Sequence, residues 1–244
     1  MTYLSRVWLN PLRRQTQRMF LNPQVLHAAV LGGLSHQPAD ERVLWRVESD
    51  SPYRSSVLVL TASRPSWEHL IEQCGWPSAD EPQALVRPYE PLLGRVVAGA
   101  QFAFRLRANP VRATRHPLSP SPAQQKSLAS AARARGVRVA HRTAAHQLAW
   151  LTSRIGRWGF EMLPTAAGFP DVRLAARERL VFSKSSHGGE KRRVVIETAT
   201  FEGRIRITDE EAARACLLSG VGPARAYGCG LITLASVGPA PADR

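Results

Sequence analysis

Lysine is almost missing from this 244-residue sequence: it occurs only at Lys126, Lys184 and Lys191, so nearly all of the 33 basic residues are arginine. Acidic residues are also few, 19 in all, which leaves a formal net charge of +14. Cysteine is limited to Cys74, Cys216 and Cys229. No two of them form a CxxC pair, which argues against a zinc ribbon and against a disulfide framework. There is no HExxH, and His141 and His146 stand five apart, off the usual spacing of a zinc pair. No metal and no cofactor is expected. No apolar run approaches the ~20 residues of a membrane-spanning helix. The N-terminal stretch MTYLSRVWLNPLRR has no apolar secretory segment followed by a small-residue cleavage site. The expectation is a cytoplasmic protein with no membrane partner.

What is abundant is positive charge. A polyanion partner is the simplest physical reason for a chain to tolerate so much self-repulsion. Arginine binds phosphate through two parallel hydrogen bonds and stacks on bases, which suits RNA. Genome base content also accounts for the arginine-to-lysine ratio, but it does not require acids to be depleted. Apolar residues make up 44% of the chain, enough for ordinary cores and against global disorder. The length suits two domains of roughly 110 residues each.

The chain opens with a strand-like stretch, Tyr3 to Leu9, followed by an arginine-rich turn with Arg13, Arg14 and Arg18. Asn22-Pro23 is a helix start, with Asn as cap and Pro in the first helical position. Leu26, Val30 and Leu34 then recur at helical spacing. Val43 to Val47 and Val57 to Thr61 read as strands and Ser66 to Cys74 as a short helix. Gln101 to Arg107 alternates Phe102, Phe104 and Leu106 with smaller or charged residues, the period of a half-buried strand. That order, β-α-β-β-α-β, is ferredoxin-like. The first domain is expected over residues 1–115, with a Pro/Ser-containing linker over 116–136. The second, over 137–244, repeats the order. It has a strand at Val137 to Ala140, a helix capped by Thr143 with Leu148, Leu151, Ile155 and Trp158 on one stripe, and long strands at Val172 to Phe182 and Val194 to Phe201. A basic tip from Lys184 to Arg193 joins those strands, and Glu202-Gly203 reads as a turn. Thr208-x-x-Glu211 is a capping box for a helix ending at Ser219, and a final strand runs from Leu231 to Leu234. The fold class is α+β, with two tandem ferredoxin-like (RRM-like) domains.

The strongest local signal is Gly220-Val-Gly-Pro-Ala-Arg-Ala-Tyr-Gly-Cys-Gly230, four glycines in eleven residues. Backbone N–H groups in such a loop can approach a phosphate, or another stretch of backbone, closely. No Lys-Ser/Thr follows the last glycine, so it is not a P-loop. It runs from helix to strand, which excludes a dinucleotide fingerprint. Taken alone it is equally a helix end plus a tight turn.

The spacing of Gly220, Gly222, Arg225, Gly228 and Gly230 near the C-terminus resembles the signature loop of CRISPR repeat-processing endoribonucleases. Leu44-Trp-Arg-Val-Glu48, Phe104-Arg-Leu-Arg-Ala-Asn-Pro110, Leu148-Ala-Trp-Leu151 with Gly159-Phe160, Phe201-Glu-Gly-Arg204 and Asn22-Pro-x-x-x-His27 look like the CasE branch of that family. These pieces run from end to end of the chain, and their order and spacing together are what is specific. The resemblance implies a metal-independent cut in CRISPR precursor RNA at the base of the repeat hairpin. The 2′-hydroxyl attacks the adjacent phosphate and leaves a 2′,3′-cyclic phosphate (or 3′-phosphate) and a 5′-hydroxyl. It also implies retention of the mature crRNA among the other Cascade subunits.

Such chemistry needs a proton acceptor at the 2′-oxygen, a donor at the leaving 5′-oxygen and positive charge beside the pentacoordinate phosphorus. His27 matches the family's catalytic histidine and can change charge near neutral pH. The family pattern has a tyrosine three residues earlier; here that position is Gln24, which can hydrogen-bond but cannot act as acid or base. Arg13, Arg14 and Arg18 are candidates for the scissile phosphate. Lys184, Lys191, Arg192 and Arg193 look like the family's stem-reading hairpin, and Gly222, Arg225 and Gly228 complete the expected RNA-binding set. Two other classes stay open: a non-catalytic RNA-binding module, and a structural Cascade subunit without activity, which Gln24 keeps in view.

Overall fold

The computed structural model describes residues 1–36, 40–129, 136–185 and 191–237, without the side chains of Asp50, Ala123, Ser185, Lys191 and Arg192. The first half contains β1 (Tyr3–Leu9), α1 (Arg14–Leu21), α2 (Pro23–Leu31), β2 (Leu44–Ser51), β3 (Arg54–Thr61), α3 (Glu68–Cys74) and β4 (Ala84–Pro88). Its sheet has the order β2-β3-β1-β4, antiparallel throughout, which is ferredoxin-like. The arginine-rich segment expected as a turn is mostly helix: Arg14 and Arg18 lie on α1, and only Arg13 precedes it.

After a short helix α4 (Glu90–Leu93) the chain enters β5 (Gln101–Ala108), β6 (Val111–Thr114), α5 (Pro122–Ala129), β7 (Val137–Ala140), α6 (Ala144–Ile155) and β8 (Phe160–Met162). It ends with β9 (Val172–Ser185), β10 (Lys191–Ile207), α7 (Glu210–Ser219) and β11 (Ile232–Ser236). β5 pairs with β10 on one side and β11 on the other, while β9 and then β8 line the far edge of β10. Together β5, α6, β9, β10, α7 and β11 make a second ferredoxin-like domain.

The strand read at Gln101 to Arg107 is therefore present, with Phe102, Phe104 and Leu106 buried, but it opens the second sheet and does not close the first. The first sheet closes with β4, and the change of sheet falls between Pro88 and Gln101. The Pro/Ser-rich residues 116–136 connect β6 to β7, which pair with each other as a small ribbon. Glu202-Gly203 is also not a turn, since β10 runs through it. Gly203 is needed there because a Cβ would sit 2.0 Å from the carbonyl oxygen of Asp171. The α7 cap is Asp209, one residue after Thr208, and its carboxylate accepts the Ala212 N–H at 3.0 Å.

Strand alternation divides the two faces of the first sheet. Val7, Leu9, Trp45, Val57 and Val59 face α1, α2 and α3 in one core. Leu44, Leu58 and Leu60, on the opposite face, join Phe104, Leu106, Leu151, Phe201, Ile205 and Leu217 in the core of the second domain. The domains thus share an apolar interface.

Arg46 lies in that interface, 2% exposed. Its Nε donates to Glu48 at 2.7 Å. Its terminal nitrogens donate to the carbonyls of Arg105 (2.8 Å) and Leu231 (2.9 Å) and to the Thr233 hydroxyl (2.7 Å). Arg105 returns a 2.6 Å ion pair to Glu48. A charge so far from water is tolerable only when its hydrogen bonds are made. Here they tie β2 of the first domain to β5 and β11 of the second.

Candidate active site

The first turn of α2 is set by sequence. The Asn22 side chain accepts the Gln24 N–H at 3.1 Å, and Pro23 occupies the first helical position. Leu26 and Val30 enter the core. Gln24 and His27 are three apart, on one face. His27 is half-buried, and burial lowers its pKa below the ordinary histidine value. The Gln24 Oε1 is buried without a hydrogen-bond partner.

Behind His27 stands Trp45 of β2, 1% exposed. Its indole Nε1–H donates to His27 Nδ1 at 3.3 Å. The indole is held from the other side by the glycine-rich loop. At Gly228 φ is +77°, and a Cβ would lie 2.7 Å from the Trp45 ring, so only glycine allows this approach. The same loop contains a 3-10 turn, Arg225–Tyr227, that packs against α2. Arg225 Nε donates to the Gly222 carbonyl at 3.1 Å. The Tyr227 ring meets Phe182 of β9 edge-on, with centroids 4.9 Å apart. Two residues further along β9, exposed Lys184 is close enough for its charge to lower the His27 pKa further, second in weight to burial. The glycine-rich loop thus links α2, which carries His27, to β9, the strand of the second domain that carries Lys184.

The other expected residues are distributed unevenly. Arg13 donates from Nε to the Gly75 carbonyl at 3.0 Å and from a terminal nitrogen to the Glu72 carbonyl at 3.5 Å, where it ends α3. Arg14 and Arg18 are exposed on α1. Arg193 is exposed on β10, opposite Ser183. Residues 186–190 of the basic tip and the side chains of Lys191 and Arg192 lie outside the described residues. Among the described residues no group of three or more His, Cys, Asp or Glu is placed to hold a metal ion, and no helix is long and apolar enough to cross a membrane.

A model of the CRISPR associated protein family matches residues 2–236. The chain belongs to this CRISPR-associated family. Within it, the chain is 33% identical over 237 residues to the CRISPR-associated endoribonuclease Cse3 of Thermus thermophilus, over 96% of this chain and 99% of the relative. It is 33% identical over 137 residues to the CRISPR system Cascade subunit CasE of Escherichia coli, over 56% of this chain and 59% of that one. A solved structure of Cse3 bound to 19-nucleotide RNA matches with a TM-score of 0.70 at 30% identity, over 96% of this chain and 98% of that chain.

Sequence reasoning missed two features of this CRISPR-associated protein. Trp45 was noted only as part of a motif, since a strand tryptophan on an apolar face reads as core. The nearness of Lys184 to His27 has no sequence signal, because it depends on how the two domains dock.

Proposed function

We propose that this protein is an endoribonuclease that cuts CRISPR precursor RNA beside its repeat hairpin and then keeps the mature crRNA as a subunit of a Cascade complex. The observation that carries this is the half-buried His27 at the start of α2, held by the Trp45 indole N–H at 3.3 Å with the glycine-rich loop packed behind that indole, within the electrostatic reach of Lys184 from the second domain. Of the relatives above, Cse3 is named as an endoribonuclease and CasE as a Cascade subunit.

In the proposed reaction the 2′-oxygen forms a bond to phosphorus, and the bond from phosphorus to the 5′-oxygen breaks. The 2′-oxygen loses a proton and the 5′-oxygen gains one. A 2′,3′-cyclic phosphate and a 5′-hydroxyl result. His27 is the group at the site suited to hydrogen-bond and exchange protons with these oxygens near neutral pH. Lys184 offsets the charge that grows on the phosphoryl oxygens, so the reaction proceeds without a metal ion. Gln24 shares the His27 face; its Oε1 is buried, so it can accept from a ribose hydroxyl only after the side chain turns outward. Arg14, Arg18, Arg193 and the basic tip hold phosphates along the RNA. The stem contacts survive the cut, which keeps the product bound.

His27→Ala tests this. Single-turnover cleavage of a labelled repeat hairpin should fall ~10²–10⁴-fold, the span of one acid–base group, while RNA affinity changes little. Unchanged cleavage would move the active site elsewhere.

A further inference from the structure

Trp45 is buried in the core, yet its one polar atom is directed at the half-buried imidazole of His27, 3.3 Å from Nδ1. An indole N–H is a donor only. Nδ1 must therefore accept, and in the neutral ring the proton sits on Nε2. We infer that Trp45 is a positioning residue that fixes the His27 tautomer, so that the nitrogen left for RNA, Nε2, meets it as a hydrogen-bond donor. This rests on the role of His27 proposed above and goes beyond it. While the Trp45 bond lasts, Nε2 has no free lone pair, so His27 cannot take the 2′-proton through that atom. To do so it must first release Trp45. The imidazolium is disfavoured for the same reason, because a proton on Nδ1 would face the indole N–H.

The surroundings act in the same direction. Burial and the Lys184 charge both favour the neutral ring. On the elements that meet α2, the other charged side chains and titratable rings are Arg14 and Arg18 of α1, Arg225 and Tyr227 of the 3-10 turn, and Glu68, His69 and Glu72 of α3, where His69 Nε2 lies 2.8 Å from the Ala29 carbonyl. On β2, Arg46 and Glu48 pair with each other on the face opposite Trp45. The glycine-rich loop enters as well. Gly228 is what leaves room for the Trp45 ring, so the loop acts on His27 through Trp45.

Long-range ¹H–¹⁵N NMR of the RNA-free protein reads the tautomer directly. Wild type is expected to show neutral His27 protonated on Nε2. Trp45→Phe, which keeps an aromatic ring but lacks the N–H, should give mixed tautomers and a higher His27 pKa. The histidine-dependent limb of the single-turnover pH–rate profile should move the same way, with RNA affinity unchanged. If phenylalanine leaves the core too loose to fold, 3-benzothienylalanine placed at position 45 keeps the bicyclic shape without the donor. An Nδ1-protonated ring in wild type would overturn the inference, and so would a tautomer and pKa that ignore loss of the indole N–H. A His27 pKa that moves while the cleavage limb stays still would uphold the tautomer assignment and count against the catalytic role of His27.

Discussion

Replacing Arg46 with Met should loosen the joint on which the active site depends. Met has a similar reach and no charge. The change removes four donated hydrogen bonds, to Glu48, to the Arg105 and Leu231 carbonyls and to Thr233. Glu48, 5% exposed, is left with Arg105 alone. Removing one partner of a buried, hydrogen-bonded ion pair costs about 3–5 kcal/mol. For a chain of this size each kcal/mol lowers the melting midpoint by about 2–4 °C, so the expected drop is about 6–20 °C. Differential scanning calorimetry measures it. His27 and Lys184 come from the two domains joined here, so cleavage should also fall further than RNA affinity when both are measured well below the new midpoint. A midpoint within about 2 °C of wild type, below the effect of one kcal/mol, would refute the claim that this network couples the domains.

Gly228→Ala places a methyl group against the Trp45 ring in a backbone conformation that alanine adopts poorly. It should destabilise by about 1–3 kcal/mol in denaturant titration and slow cleavage through the displaced indole. Lys184→Gln removes the charge that helps lower the His27 pKa. NMR titration should show that pKa rising, and single-turnover cleavage should slow by ~10²–10³-fold. The pKa values of His27 and His141 both lie below their ordinary value of 6.5, mainly through burial. As pH falls past 6.5 the unfolded chain therefore binds protons before the folded one, and stability declines. Melting midpoints should drop between about pH 7.5 and 5.5, and His27→Gln should flatten part of that slope.

Much of the fold is visible in local pattern. The Asn22-Pro23 start, the Thr143 cap and the alternation of Phe102, Phe104 and Leu106 each appear in the structure as read. What local pattern cannot carry is sheet membership. β5 has the same alternation whichever sheet it joins, and only its pairing with β10 and β11 decides. β4 escaped notice because Ala84–Pro88 is a short, half-exposed edge strand that opens with three apolar residues in a row, so its in–out alternation does not show in residue type. Gly203 was read as a turn signal because glycine marks both turns and close backbone contacts. The Asn-Pro-x-x-x-His pattern marked the start of α2, the helix that carries His27. Arg13 reads like its neighbours in sequence, yet the structure engages it at the end of α3. Trp45 gains its place beside His27, and Lys184 its electrostatic influence on that ring, only through tertiary packing.

The most direct test of the central claim is cleavage of a matched pair of repeat-hairpin RNAs in excess EDTA, one all-ribose and one with a single 2′-deoxy residue at the cut site. The ribose RNA is expected to be cut at its full rate to a 2′,3′-cyclic phosphate and a 5′-hydroxyl, and the deoxy RNA to be bound equally well and left intact. Cleavage of the deoxy RNA, or activity that disappears in EDTA and returns with added Mg²⁺, would contradict it.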